Sequence, residues 1–137
     1  MTAREPAVPR QRPCASCPYR RVVPSGVWDS IEYSKLPEYD RDLQDQPSAV
    51  FYCHQGDGDV CSGWLGHRDP SDLLAVRLGL IEGRLEPSCI EYQTNVPLFP
   101  SGAEAAAHGT KDIASPSDEA WAAMDKLIRK RGLNTST

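Results

Sequence analysis

The chain has 137 residues, the length of one domain, with 39% hydrophobic and 25% charged side chains. That excludes a multidomain machine, and no run approaches the roughly 18 to 20 consecutive apolar residues of a membrane span. A formal charge of −4 gives the whole molecule no field that would draw in a phosphate backbone. The charge is uneven, however: residues 1–21 carry five arginines, Arg20 and Arg21 among them, against Glu5, while residues 29–59 carry eight acids against Lys35 and Arg41.

In chain order, residues 1–12 read as a disordered basic and proline-rich arm, 13–132 as the single folded domain and 133–137 as a disordered tail. Residues 25–36 read as a short helix capped by Ser25, carrying Trp28, Ile31 and Leu36, and stopped by Pro37. An acidic loop leads to a β-prone run at 49–53, then to turn chemistry at Gly56-Asp57-Gly58-Asp59. Asp69-Pro70-Ser71-Asp72 opens a helix whose Leu74, Leu78, Ile81 and Leu85 recur at helical spacing toward the core, with a break near Pro87. Ser101 to Glu104 forms a capping box ahead of an alanine-rich turn that Gly109 can end. A second box at Ser115 to Asp118 opens the last helix, with Trp121, Met124 and Ile128 as its apolar face and Lys126, Arg129, Lys130 and Arg131 in its final turns. The expected architecture is a small α+β domain: short strands and loops around a four-cysteine site, with three to four helices mainly in the second half.

The sharpest chemical signal is Cys14-Ala15-Ser16-Cys17, a spacing that lets two thiolates reach one ion at about 2.3 Å from a single loop. Cys53 and Cys61 complete a four-thiolate set for zinc or an iron–sulfur cluster. No apolar leader precedes the cysteines, which points to a reducing compartment where spaced cysteines mean metal before disulfides. Zinc is preferred to a [4Fe–4S] cluster because it folds a loop-rich core without assembly machinery, although Pro18 after Cys17 is the arrangement familiar at clusters. Cys89 stands apart as a core residue. His54 adjoins Cys53 and is expected behind the ligands, His67 is the alternative ligand or a cap before the next helix, and His108 favours a helix C-terminus.

The pattern Cys14-x-x-Cys17-Pro18-Tyr19-Arg20, Gly26-Val27-Trp28, Phe51-x-Cys53-His54-Gln55 and Cys61-x-Gly63-Trp64 resembles a family of uncharacterised small proteins of actinobacteria and their phages. The resemblance runs through residues 97–109 to the last helix and implies a cytoplasmic location and a metal site, with no activity attached. A weaker similarity is to the WhiB-like iron–sulfur regulators, which combine four cysteines with a Gly-Val-Trp turn; here that turn lies between the cysteine pairs. No phosphate loop, Ser/His/Asp set or paired carboxylates are present, so no catalytic residue is assigned. The reading is a non-catalytic, metal-binding interaction or regulatory module that meets a protein partner through Arg20, Arg21, Trp28 and Trp64. The alternatives are an iron–sulfur redox or sensor protein and a nucleic-acid accessory protein using the arginine arm.

Overall fold

In the computed structural model, which describes residues 5–53 and 58–131, five α-helices are linked by 3-10 turns and loops. They are α1 (Ser30–Ser34), α2 (Ser62–Gly66), α3 (Leu74–Ile81), α4 (Gly102–Thr110) and α5 (Asp118–Arg131). The molecule is therefore mainly α. Among the described residues extended backbone pairs only as isolated bridges, Ala7 with Leu85, Pro9 and Tyr52 with Val60, and Arg20 with Leu98. The β part of the expected α+β class is corrected on this point: the run at 49–53 makes one bridge, because the chain turns at Gly58, whose φ is +84°, and enters α2 directly after Cys61.

The arm expected to be disordered is, from Glu5 onward, laid along the body. Ala7 N–H donates to Arg84 O at 2.8 Å and Ala7 O accepts from Glu86 N at 2.9 Å. Val8 O accepts from Val60 N at 2.9 Å, and Arg10 N–H reaches Val60 O at 3.0 Å. Pro9, which has no N–H, falls between the two residues that carry these bonds, so the proline sits where the pairing needs no donor.

The first helix starts later than its sequence suggests. Asp29 caps it, accepting from Glu32 N at 2.9 Å, and Ser25 serves the far end of α4 instead. Its hydroxyl donates to Gly109 O at 3.1 Å and accepts from Asp112 N at 2.8 Å. Gly109 is thus not a helix stop but a packing residue within α4, where a methyl group would run into the ring of buried Tyr33. The capping box at Ser101 forms as its sequence dictates, the serine hydroxyl accepting from Glu104 N at 3.1 Å. Asp40 adds a clamp from another segment, its two carboxylate oxygens accepting from Gly102 N at 2.7 Å and Ala103 N at 2.8 Å.

Two helix faces differ from the periodicity. On α3 the buried side is Leu73, Ala75, Val76 and Gly79, whereas Leu74 and Leu78 are half-buried and Ile81 is exposed. The reason is close approach at a small residue: a Cβ on Gly79 would lie 2.6 Å from Leu85 Cγ, so the helix seats its small side on Leu85. Gln46, buried with no charge, donates to Asp72 O at 2.9 Å and accepts from Leu74 N at 3.0 Å, capping α3 from outside. On α5 the inward residues are Ala120 and Leu127, with Ala123 and Met124 half-buried, and Trp121 and Ile128 face out.

Candidate metal centre

Cys14, Cys17, Cys53 and Cys61 come from three segments and are all buried, and contacts link Cys17 to Cys61 and Cys14 to Cys53. The Cys14–Cys17 loop is two successive turns, Cys17 N–H donating to Cys14 O at 3.0 Å and Arg20 N–H to Cys17 O at 3.1 Å. These turns aim backbone N–H groups at sulfur, Ser16 at Cys14 and Tyr19 at Cys17, and both contacts favour the thiolate. Trp28 Nε1 donates to Ser16 O at 2.8 Å and pins the loop to the start of α1. From the other side Cys61 is the N-cap of α2, its sulfur accepting from Trp64 N at 3.4 Å.

The sulfurs fall into two pairs. Cys17 Sγ and Cys61 Sγ are 3.8 Å apart, well beyond the roughly 2.05 Å of a disulfide. Cys14 is hydrogen-bonded to Cys53, and the Arg10 guanidinium reaches Cys53 Sγ at 4.0 Å. The pairs differ electrostatically. The hydrogen bond from Cys53, aided by Ser16 and Arg10, outweighs burial and brings Cys14 down to about 6. Cys17 is pushed well above the ordinary thiol value by its bond with Cys61 and by complete burial. Gly63 makes room for the inner pair, since a side chain there would occupy the position of Cys17 Sγ. Among the described residues no three His, Cys, Asp or Glu side chains close into a metal cage. The geometry is two adjoining thiol pairs.

The remaining candidates separate clearly. Cys89 is buried with its thiol directed at Ala7 O at 3.8 Å, and burial pushes it up to about 11. His67 is neither a surface residue nor a ligand of the pairs. It is buried, stacked on Tyr19 at 4.4 Å between centroids, and its Nδ1 contacts Trp64 O, while burial brings it down to about 4. His108 Nε2 contacts Val23 O, so it tethers α4 to the 20–24 loop. His54 and Asp57 lie outside the described residues, as do residues 1–4 and 132–137.

Of the four expected partner contacts, two are corrected. Trp64 is fully buried against Tyr39 at 5.4 Å and Phe51 at 6.3 Å between centroids, and Trp28 is also buried, so neither offers a surface. Arg21 is exposed, donating to Leu98 O at 3.0 Å and lying over the Phe99 ring at 5.4 Å. Arg20 is half-buried and donates to Pro13 O at 3.1 Å. Reading the sequence alone missed Asp40 and Gln46, which carry no local signal; Gly63 is visible as part of the Cys61-x-Gly63-Trp64 motif and Arg10 as part of the basic arm.

Compared with known protein families, residues 9–131 match a family of unknown function, DUF6283. The chain belongs to this family. The match spans all five cysteines and every helix described, and starts within the docked arm, after Ala7 and Val8, so the cysteines lie within the family's shared region. No curated protein and no solved structure matches the chain. Among the described residues no helix is long and apolar enough to cross a membrane.

Proposed function

We propose that this protein is a small, non-catalytic module stapled by one metal ion on Cys14, Cys17, Cys53 and Cys61, which acts in the bacterial cytoplasm by contacting a partner. The observation that carries the reading is the proximity of four buried cysteines from three segments, Cys17 beside Cys61, and Cys14 bonded to Cys53 and near enough to Cys17 for its charge to be felt there. Burying four thiols side by side gains little from packing alone, whereas a divalent ion would take all four as thiolates and would contribute folding energy to a loop-rich core. The donor chemistry fits. Four thiolates about 2.3 Å from one tetrahedral ion stand about 3.8 Å from each other, and Cys17 Sγ and Cys61 Sγ are 3.8 Å apart. The ligands of a four-iron cluster each bind a separate corner and spread further, so this spacing favours zinc over [4Fe–4S]. Gly63 supplies the space and the Ser16, Tyr19 and Trp64 amides the hydrogen bonds that thiolate sulfur accepts. A closed four-thiolate site leaves no position for water, which is why the module is read as non-catalytic.

Metal analysis and visible spectra of the full chain, purified with and without oxygen, test this. One zinc per colourless chain is expected, lost in Cys14→Ser and Cys53→Ser and kept in Cys89→Ser. A brown protein replaces zinc with a cluster. A folded, metal-free protein, or equal metal loss in all three variants, overturns the ligand set.

A further inference from the structure

The arm and the end of α5, about a hundred residues apart in sequence, flank the same cysteine turn. Three shallow depressions adjoin there. One is bordered by Arg10, Arg12 and Ala15; a second shares Arg12 and adds Arg20, Thr94 and Asn95; a third shares Ala15, has an apolar floor of Pro24, Ala123 and Leu127, and is rimmed by Lys126 and Arg129. Five cationic side chains thus follow one band across a molecule whose formal charge is −4. The carboxylates lining it are Asp59 and Glu119, and Arg129 also pairs with Asp125 at 3.0 Å. Arg12 and Lys126 are exposed. The arrangement is made by the fold, since Arg12 reaches the band only because residues 7–10 are hydrogen-bonded onto the body.

We propose that this band is a docking surface for the phosphate backbone of duplex nucleic acid. A small anion would need one depression, and three in a row with a cation in each suit a polymer whose charges repeat at short intervals. Screening confines the repulsion from the acids elsewhere, because charges further than about 8 to 10 Å away are largely damped at physiological salt. None of the residues lining the three depressions is aromatic, so the band offers phosphate contacts and amide hydrogen bonds without a platform for unpaired bases. That separates duplex from single strand. The surface stands whether or not the cysteines hold metal.

Fluorescence anisotropy of the full chain with a labelled duplex tests it. With about three phosphates neutralised, the logarithm of affinity falls with a slope of about −2.7 against the logarithm of salt, roughly 40-fold between about 50 and 200 mM. Arg12→Ala lowers that slope by about 0.9, and Arg12→Ala/Lys126→Ala weakens binding at least tenfold. Lys35→Ala/Arg41→Ala, which removes the same charge from two exposed side chains paired to Glu32 and Glu38, leaves it unchanged. The proposal is overturned by no binding at low salt, by equal loss in both double variants, by tighter binding of a single strand, or by equal competition from polyglutamate, which would make an acidic protein the partner. Circular dichroism and metal content unchanged in the variants tie the loss to the surface.

Discussion

The cysteine region and the C-terminal helices bury their residues by opposite means. Between residues 14 and 67 the regular helices are five residues long, too short to persist alone, yet Tyr19, Val60, Trp64 and Leu65 are completely buried there. What holds them is a cage of aromatic rings, Tyr39 edge-on to Trp64 at 5.4 Å and to Phe51 at 6.0 Å, closed on one side by the thiol cluster. α5 is fourteen residues long, buries Ala120 and Leu127, and leaves Trp121 59% exposed. Helix length and core density run against each other here. The loop-built half specifies the fold through cross-segment contacts, and the helical half follows through caps and glycine seats.

Two glycine substitutions, one in each half, break the comparison most sharply. Gly63→Ala drives a methyl group into Cys17 Sγ and should cost about 3 kcal/mol, the upper end for overpacking, while also lowering metal content. Gly109→Ala meets the Tyr33 ring, which cannot swing away because its hydroxyl accepts from Trp28 N at 3.0 Å; it should cost about 1 to 3 kcal/mol and leave metal content intact. Denaturant melts read beside metal analysis distinguish them, and metal loss in Gly109→Ala would show that the halves are not separable.

Acid should act on the cysteine half through His67. Burial holds it at about 4 in the fold, below its ordinary 6.5, so between those values the unfolded chain takes up a proton that the native state refuses. Stability then falls as pH drops from about 6.5 to 4, by roughly 1.4 kcal/mol per unit and about 3 kcal/mol in all. Melts of the native chain and of His67→Gln as a function of pH isolate this part, since the variant loses that slope and keeps the acid sensitivity of Cys14. Identical profiles would place His67 in water.

How much of this was legible in the sequence follows from the range of each interaction. The capping box at Ser101 is local and forms as its sequence dictates, whereas Asp69 caps only the 3-10 turn Pro70–Asp72, and α3 begins beyond it at Leu74. The grouping of Cys14, Cys17, Cys53 and Cys61 apart from Cys89 rests on spacing alone; in the structure these thiols stand as two pairs, Cys17 with Cys61 and Cys14 with Cys53, and among the described residues they close into no cage. The inward faces of α3 and α5 were misread, because periodicity favours large apolar residues whereas Gly79 and Ala120 win by allowing close approach. Trp28 suits a core anchor at the start of a helix and is buried as such, whereas Trp64, also a candidate partner contact, lies wholly inside because an aromatic-poor chain of this size needs it there. The prolines and charges of the arm have nothing to bury, which is why composition points to disorder; residues 7–10 of it are held by backbone bonds, which leave no mark on composition.

Asp40 tests whether α4 depends on the cysteine half or on its own sequence. Its two bonds to Gly102 N and Ala103 N duplicate what Ser101 does for Glu104 N, so the helix has a local cap and an imported one. Asp40→Ala should cost about 1 to 2 kcal/mol and Ser101→Ala about 1. Chemical denaturation of each single variant and the double measures their coupling, and a double cost well above the sum would show that either cap suffices.

The smallest effect belongs to the most conspicuous apolar residue of α5. Trp121 borders a shallow depression with Trp28 and Met124, but more than half of its surface stays in water in the folded chain, so truncation removes little burial and leaves no cavity. Trp121→Ala should change stability by less than about 1 kcal/mol. Trp28→Ala, which empties a buried site and deprives Ser16 O of its indole donor at 2.8 Å, should cost about 3 to 5 kcal/mol. The ratio of the two, from thermal melts under one condition, states how unevenly the halves share the core. Near-equal costs would mean that α5 packs more of its outer face than its exposure indicates.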